Sequence, residues 1–444
     1  MGGAMDISEV TARHSYGTWR AQKGWRPLHV TGAEGCWFWD ASGKRYLDLS
    51  AQLMCSNLGH QNPAVIEAIC KQARELAFLA PGFTCDVRAA LSEKLIEVMP
   101  PGLDKYFYTT SGTEANEAAF KIARWYTGKS KILSRYASYH GSTAASMAAT
   151  GDFRRIAAGP MGALPGHLRA PEVNCTRCPI GHTYPSCNIA CADYLTHMLD
   201  YEGDVAAVLI EPVVGTNGIL IPPDEYLPRL AAACKQRGVL LIADEVMSGW
   251  GRTGEWFAVN RWGVVPDILV TAKGITGAMA PLGVTATSRA IADYFEDHFF
   301  GHGHTYEAHP LTLAPAIAAI DEYRRLDLLA AARVQGEKLG AGLRALQDKH
   351  VSVGQVRGVG LFYAVDLVRD RKTMTPFNTQ ADKVARKPLV VDQVSAELLK
   401  RGVYCLGWVS HLVLAPPLII SDAEIAVALA ALDEALTVAD AQVA

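Results

Sequence analysis

Short, continuous apolar runs alternate with longer stretches of helical spacing between about residues 104 and 287. Six apolar runs are predicted to form strands, at residues 106–109, 132–133, 207–210, 239–243, 268–271 and 283–287. Runs that are apolar throughout are typical of strands buried on both faces, and their alternation with helices is typical of a parallel sheet. The pattern therefore predicts an α/β protein with a mostly parallel central sheet.

Other patterns flank this region. Residues 35–50 place aromatic residues around a turn and predict a β-hairpin, whereas residues 62–98 have helical spacing that starts at Asn62 and Pro63. A strand pattern covers residues 354–368, and an alanine-rich closing helix is expected over 423–444.

These patterns predict three segments. Residues 1–60 form an N-terminal arm and hairpin, and residues 61–320 form the large domain. Residues 321–444 form a smaller α+β domain, to which the first segment also contributes.

Composition narrows the class of protein. The chain has 444 residues, is 50% hydrophobic and carries a net charge of -3, without a basic stripe of the kind that binds nucleic acid. It has no apolar run of about 18 residues or more, which a membrane helix would need. The first residues, MGGAMDISEV, do not have the pattern of a secretory signal. We expect a cytoplasmic protein without nucleic-acid or membrane partners.

The ten cysteines do not resemble a secreted disulfide framework. Cys175, Cys178, Cys187 and Cys191 form one cluster in the sequence, and such a set is also compatible with structural zinc. The spacing is irregular, and the segment reads as an insertion loop. Reduced loop cysteines are the favoured interpretation, so no metal is predicted.

A carboxylate and a lysine follow two predicted strands. Asp244 ends the apolar run 239–243, and Lys273 comes two residues after the run 268–271. Open α/β sheets bind their ligands at the carboxyl ends of the strands. A lone lysine there is more often a surface residue. A pyridoxal phosphate (PLP) enzyme needs both residues. The lysine forms a Schiff base with the cofactor aldehyde, and the acid pairs with the pyridine nitrogen.

Further motifs add ligand-binding chemistry. Ser111, Gly112 and Thr113 stand between a strand and a helix, where a helix N-terminus binds phosphate, although a capping box formed by Thr113 is the alternative. Tyr139 follows another strand and offers an aromatic face. Thr305 precedes a helix over 311–323, as a phosphate ligand or a helix cap.

Gly249, Gly251 and Gly254 imitate a dinucleotide fingerprint. That fingerprint requires the glycines to connect a strand directly to a packed helix, and here Asp244 to Ser248 intervene. We therefore reject a nucleotide-dependent oxidoreductase.

The motifs SGTEAN, YHG, EPV, DEV, AKG and HTYEAHP occur in this order along the chain. In this order they resemble a class III (ω-type) aminotransferase of the fold type I PLP superfamily, over essentially the whole chain. The resemblance is closest to the ω-amino acid and amine–pyruvate transaminases. It implies small-molecule amine and oxo-acid substrates, ping-pong kinetics through a Schiff base at Lys273, and a homodimer, with dimer against tetramer left open.

The resemblance also implies residue roles. Lys273 and Asp244 would be catalytic, with Asp244 on the pyridine nitrogen, and Thr305 would reach the phosphate of a neighbouring subunit. The cofactor-binding set implied by the matched motifs is Ser111, Gly112, Thr113, Tyr139, His140, Glu211, Asp244, Val246, Lys273 and Thr305.

Substrate recognition departs from the family pattern. Pro416, Pro417 and Leu418 are present, but the segment 406–411 lacks the arginine that binds the oxo-acid carboxylate in amine–pyruvate members. Arg20 or His411 would have to stand in. The expected substrate pocket comprises Trp19, Met54, Phe83, Trp408 and His411. Taurine, β-alanine, 4-aminobutyrate, diamines and plain amines stay open as donors, and an aminomutase or racemase on the same fold is the alternative activity.

Overall fold

A computed structural model describes residues 6–443. The strands, in chain order, are β1 Val30–Glu34, β2 Trp37–Asp40, β3 Arg45–Asp48, β4 Leu103–Thr109, β5 Lys131–Arg135, β6 His167–Ala170, β7 Val205–Ile210, β8 Leu240–Asp244, β9 Ile268–Thr271, β10 Gly283–Ser288, β11 Val353–Val359, β12 Phe362–Asp370, β13 Thr375–Pro376, β14 Val403–Tyr404, β15 Leu406–Trp408 and β16 His411–Leu414.

The helices are α1 Ile7–His14, α2 Ala51–Met54, α3 Pro63–Glu75, α4 Asp86–Ile96, α5 Gly112–Thr127, α6 Ala144–Ala149, α7 Phe153–Ala157, α8 Ala190–Glu202, α9 Tyr226–Gln236, α10 Arg289–Asp297, α11 Pro310–Arg325, α12 Leu328–Lys349, α13 Gln380–Val384, α14 Val390–Lys400 and α15 Asp422–Asp440. Short 3₁₀ helices cover Gly159–Gly162, Ala258–Trp262 and Lys273–Thr276.

The central sheet has seven strands in the order β4-β10-β9-β8-β7-β5-β6. Strand β10 is antiparallel to both of its neighbours, and the other pairs are parallel. All six residues of β7 and all five of β8 are buried, because helices cover both faces of the sheet. The α/β class with a mostly parallel sheet, typical of fold type I PLP transferases, is confirmed.

Two smaller sheets lie outside this core. One has the order β1-β2-β3-β14, and its β14 pairs in parallel with β3, so a C-terminal strand completes the N-terminal hairpin. The other has the order β11-β12-β16-β15. The segments before and after the central sheet are therefore joined in space, while the domain boundaries at residues 60 and 320 stay predictions.

The stretch 62–98, predicted to have helical spacing, forms two helices, α3 and α4. Asn62 caps α3 through its side-chain oxygen, as expected. The chain then leaves the helix at Leu76, in an extended conformation, and re-enters one at Asp86. Pro81 and Gly82 lie in the break, and both residue types disfavour a continuous helix.

Two sequence-based predictions concern location. No helix among residues 6–443 combines the length and the apolar character required to cross a bilayer. Residues 1–5, on which the absence of a secretory signal partly rests, lie outside the described residues. The cytoplasmic location therefore stays a prediction.

Candidate active site

Lys273 follows β9 after a single residue and opens a 3₁₀ helix, with a left-handed backbone at φ 55°. Its side chain lines a cavity of about 520 Å³ at the carboxyl edge of the sheet. Burial lowers the pKa of its ammonium group, although Cys55, Asp244 and Glu211 act in the opposite direction. A lowered pKa favours the neutral amine, which is the form that attacks a carbonyl.

Asp244 ends β8, the neighbour of β9, and lines the same cavity at 3% exposure. Its Oδ2 accepts hydrogen bonds from Asn116 Nδ2 at 2.9 Å and from His140 Nδ1 at 2.8 Å. Its Oδ1 accepts one from the Val246 N–H at 3.1 Å. These three donors hold the buried carboxyl group in one orientation on the cavity wall.

His140 therefore acts through Asp244. The ring donates from Nδ1, and the buried Nε2 has no partner among the described residues. Asn116 was not recognised as a site residue from the sequence, where it was read only as part of a helix cap. Its position on the buried face of α5, among alanine and phenylalanine side chains, is the signal that would have identified it.

Glu211 holds the aromatic wall of the cavity in place. Its Oε1 accepts a hydrogen bond from the Tyr139 N–H at 2.9 Å, and its Oε2 accepts one from the Gly215 N–H at 2.8 Å. Burial raises the pKa of the Glu211 carboxyl. The structure therefore places Glu211 beside the cavity as a residue that positions Tyr139.

The turn from β4 into α5 forms one end of the cavity. Ser111 is the N-cap, and its hydroxyl accepts a bond from the Glu114 N–H at 3.4 Å. The capping alternative for Thr113 was wrong, because the Thr113 hydroxyl instead accepts a bond from the Ser142 N–H at 3.1 Å. Free N–H groups at the start of a 16-residue helix make this end suited to a phosphate.

Glycines allow the backbone to pack closely against neighbouring side chains at this end of the cavity. A Cβ on Gly112 would stand 2.8 Å from Val246 Cγ2, and one on Gly141 would stand 2.1 Å from Thr113 Oγ1. Gly141 also has φ +141°, which other residues rarely adopt. Together with the lysine, the fixed carboxylate and the aromatic wall, this donor set fits pyridoxal phosphate.

A larger chamber of about 880 Å³ adjoins the cofactor cavity and shares Lys273, Tyr139 and Met247 with it. Trp19, Met54 and Trp408, three of the predicted substrate residues, line this chamber. Trp19 lies in the irregular arm, with its ring centroid 6.2 Å from that of Tyr139.

Arg154 is a second residue that the sequence analysis did not identify, besides Asn116. It lines the chamber at 4% exposure, and its guanidinium lies 3.5 Å from the centroid of the Tyr139 ring and 4.5 Å from that of Trp408. Nε donates to Asp152 Oδ2 at 3.0 Å, and Nη2 donates to Thr216 Oγ1 at 2.9 Å. Its local sequence does not indicate a role in binding, because Arg154 reaches the chamber only through the packing of α7.

Three predicted residues do not meet this chamber. His411 is buried with Nε2 at 2.8 Å from the Thr216 carbonyl, and burial lowers its pKa to about 4. It does not line the chamber, so the structure does not support it as a substitute for the missing arginine. Phe83 and Thr305 lie on the surface, and Phe83 is 67% exposed. Their contact with a ligand stays a prediction.

The four clustered cysteines line a small cavity of about 20 Å³. All are free thiols, and burial, followed by the proximity of Cys175, raises the pKa of Cys191 to about 11. Across residues 6–443, no three His, Cys, Asp or Glu side chains are arranged to hold a metal ion. The interpretation as reduced loop cysteines stays a prediction.

The chain matches a family model described as aminotransferase class-III over residues 20–436. The taurine–pyruvate aminotransferase of Bilophila wadsworthia is 32% identical over 452 residues, covering 97% of this chain and 98% of the relative. The leucine/methionine racemase of Thermococcus litoralis is 35% identical over 364 residues, covering 81% of each.

A solved structure is similar over nearly the whole chain. The taurine:2-oxoglutarate aminotransferase of Bifidobacterium kashiwanohense, crystallised with PLP and glutamate, matches with a TM-score of 0.93 at 36% identity. The match covers 99% of this chain and 98% of that one. The similarity therefore includes both the central sheet and the small sheets around the site.

Proposed function

Because this chain belongs to the class-III aminotransferases, a family of PLP enzymes, we propose that it transfers an amino group from an ω-amino acid or amine to a 2-oxo acid such as pyruvate. The observation that carries the proposal is that Lys273 and Asp244 line one cavity, with a helix N-terminus at one end and a substrate chamber alongside.

The residues divide the chemistry between them. Bound PLP supplies an aldehyde that joins to amines and a ring that accepts the electron pair of a broken C–H bond. Asp244, held in place by Asn116 and His140, would face the protonated ring nitrogen. Lys273, whose amine is neutral more readily because of burial, would take the proton from the donor carbon and return it elsewhere. Val246 and Tyr139 would enclose the ring.

Arg154 is proposed to bind the anionic head of the donor or acceptor. Its hydrogen bonds to side chains use Nε and Nη2, and none among the described residues uses Nη1. Guanidinium groups bind carboxylates and sulfonates through planar N–H pairs. The named substrate of two relatives, taurine, carries such a group two carbons from its amine. Donors of this class are therefore favoured over plain amines.

The test loads purified protein with PLP and records its visible spectrum while amines are added. The panel comprises taurine, β-alanine, 4-aminobutyrate, a diamine and a neutral amine, each followed by pyruvate. We expect a spectral change with the preferred donor, its reversal by pyruvate, and one alanine formed per donor consumed. The panel is repeated with 2-oxoglutarate in place of pyruvate, and failure of every donor to yield an amino acid from either oxo acid would overturn the proposal.

The racemase relative supports a second candidate activity, racemisation of an amino acid. It needs no acceptor, since the proton removed from one face returns to the other. Incubation of one enantiomer of leucine without any oxo acid separates the two activities. Loss of optical rotation in this incubation would favour racemisation. Retained rotation, followed by alanine formation once pyruvate is added, would favour transamination.

A homodimer is the proposed assembly, with Thr305 reaching the phosphate of the neighbouring subunit. Exposed aromatic side chains surround Thr305, since Tyr306 is 58% and Phe78 is 46% exposed, with their rings 6.3 Å apart. Size-exclusion chromatography of Tyr306→Asp should show dissociation. Thr305→Ala should stay dimeric but weaken PLP binding about tenfold, as expected for a lost hydrogen bond to a charged group. A monomeric native protein with full PLP affinity would contradict this assembly.

A further inference from the structure

The substrate chamber opens outward into a second cavity of about 720 Å³, which we call the vestibule. The two cavities share Trp19, Arg20, Phe153, Lys383 and Asp392, so they form one continuous path. Its inner part holds Lys273 and Arg154, and its outer part is lined by the segment around α13.

The vestibule is strongly cationic. It is lined by four basic side chains and one acidic one, namely Arg20, Lys383, Arg386, Lys387 and Asp392. Because cations outnumber anions here, the vestibule presents a positive potential to an anion approaching the chamber.

Only part of this charge is neutralised. Lys387 pairs with Asp382 at 2.7 Å, and Lys383 pairs with Asp392 at the longer distance of 3.8 Å. No ion pair among the described residues involves Arg20 or Arg386, and both side chains are exposed. Arg20 and Arg386, together with Lys383, whose ion pair is the longer of the two, are therefore the cations best placed to accept an additional carboxylate.

The cationic segment is fixed next to Arg154. Thr379 and Asp382 form a capping box that starts α13, and Gln380 Oε1 accepts a hydrogen bond from the Phe153 N–H at 3.2 Å. Phe153 is the first residue of α7 and precedes Arg154. The inner and outer cations are thus held in a defined relation by the contact of α13 with α7.

From this arrangement we infer that the vestibule makes the enzyme select a dicarboxylic 2-oxo acid as acceptor over a monocarboxylic one. The inference rests on the proposed function and names its acceptor class. A monocarboxylate such as pyruvate has one charge and engages one cationic group at a time. A dicarboxylate places one carboxylate in the chamber and the other against Lys383, Arg386 or Arg20, which gives two-point recognition.

The test compares two acceptors of equal chain length, 2-oxoglutarate and 2-oxopentanoate, which differ by the distal carboxylate. We expect the native enzyme to have the higher kcat/KM with 2-oxoglutarate. Lys383→Gln and Arg386→Gln should each lower the ratio of the two kcat/KM values about threefold, and the double variant about tenfold, as is usual for charges at a solvated rim. The values for 2-oxopentanoate should stay within about twofold of the native ones. Lys71→Gln, on α3 and outside both cavities, is the matched charge control and should leave the ratio unchanged.

Binding supplies a second measurement that does not depend on turnover. Titration calorimetry with glutarate and pentanoate should show tighter glutarate binding, weakened by the double variant and by added salt. An equal ratio in native and double-variant enzyme, or an equal loss with both acceptors, would overturn the inference. Because pyruvate is added to the series as a third acceptor, absence of transamination with all three acceptors would instead overturn the proposed function.

Discussion

The floor and the mouth of the active-site cleft are built in opposite ways. At the floor, Asp244 is 3% exposed and bonded to groups from α5, from the segment after β5 and from its own loop. At the mouth, Arg20 and Arg386 are exposed and unpaired among the described residues. The side chains of the floor are thus held in one arrangement by their hydrogen bonds. The side chains of the mouth are exposed, so they can be substituted without disturbing the core. Cofactor chemistry and substrate choice are therefore separable in this protein.

The largest effect expected at the floor comes from Lys273→Ala. Removal of the amine eliminates both the covalent attachment and the base, so kcat should fall at least about 10⁴-fold. The visible absorbance of the lysine-linked cofactor should also disappear. Lys71→Ala, on the exposed face of α3, is the control and should keep both properties. A Lys273→Ala enzyme with full turnover would refute the assignment.

Asp244→Asn tests whether the fixed charge is needed or only its hydrogen bonds. The amide keeps the size of the side chain but cannot hold a protonated ring nitrogen, so PLP should still bind in part while kcat falls about 10³-fold. Dialysis against PLP followed by single-turnover kinetics measures both quantities. An unchanged rate would contradict the role of the carboxylate.

Glu245, next to Asp244, separates the effect of burial at the floor from the effect of contact with the cofactor. It is buried but is not among the residues lining the cofactor cavity. Burial raises its pKa to about 7 from an ordinary value of 4.5. The folded state therefore holds a proton that the unfolded state has lost, between pH 4.5 and 7. The contribution of protonated Glu245 to the unfolding free energy is complete below pH 4.5, the pKa in the unfolded state. It is lost as the pH rises through about 7, the pKa in the folded state.

Glu245→Gln should abolish this dependence. The difference in unfolding free energy between native and variant protein should change by about 3 kcal/mol between pH 4.5 and 7.5, with the native protein losing stability as the pH rises. Guanidinium titrations at three pH values measure the difference. Parallel profiles for the two proteins would show that Glu245 is ionised in the fold.

The smallest of these effects is expected at the chamber, from Arg154→Gln. Loss of the guanidinium should lower kcat/KM about 30-fold for taurine or β-alanine and leave a neutral amine within about threefold. The substitution leaves Asp152 buried without its partner, which destabilises the fold. The double variant Asp152→Asn with Arg154→Gln removes both charges and serves as the folded comparison. An equal loss with charged and neutral donors would contradict anion binding by Arg154.

Much of the floor was predicted because its residues stand in short local patterns. The strands ending at Asp244 and just before Lys273, and the turn at Ser111, follow from apolar runs and helix starts that need no distant partner. The break of the 62–98 helix was missed although Pro81 and Gly82 mark it, because the helical spacing resumes after them.

The sequence by itself determined the central sheet, the acid and lysine at its carboxyl edge, and the turn at Ser111 that begins a helix. These features depend on periodicity and on strand ends, which are encoded within a few residues of each other. Only the tertiary structure decided that Asn116 supports Asp244, that Arg154 rather than His411 lines the larger chamber, and that α13 brings cations to the mouth. Each of these contacts joins segments far apart in the chain, so it is set by how helices and sheets pack and leaves no local pattern to read.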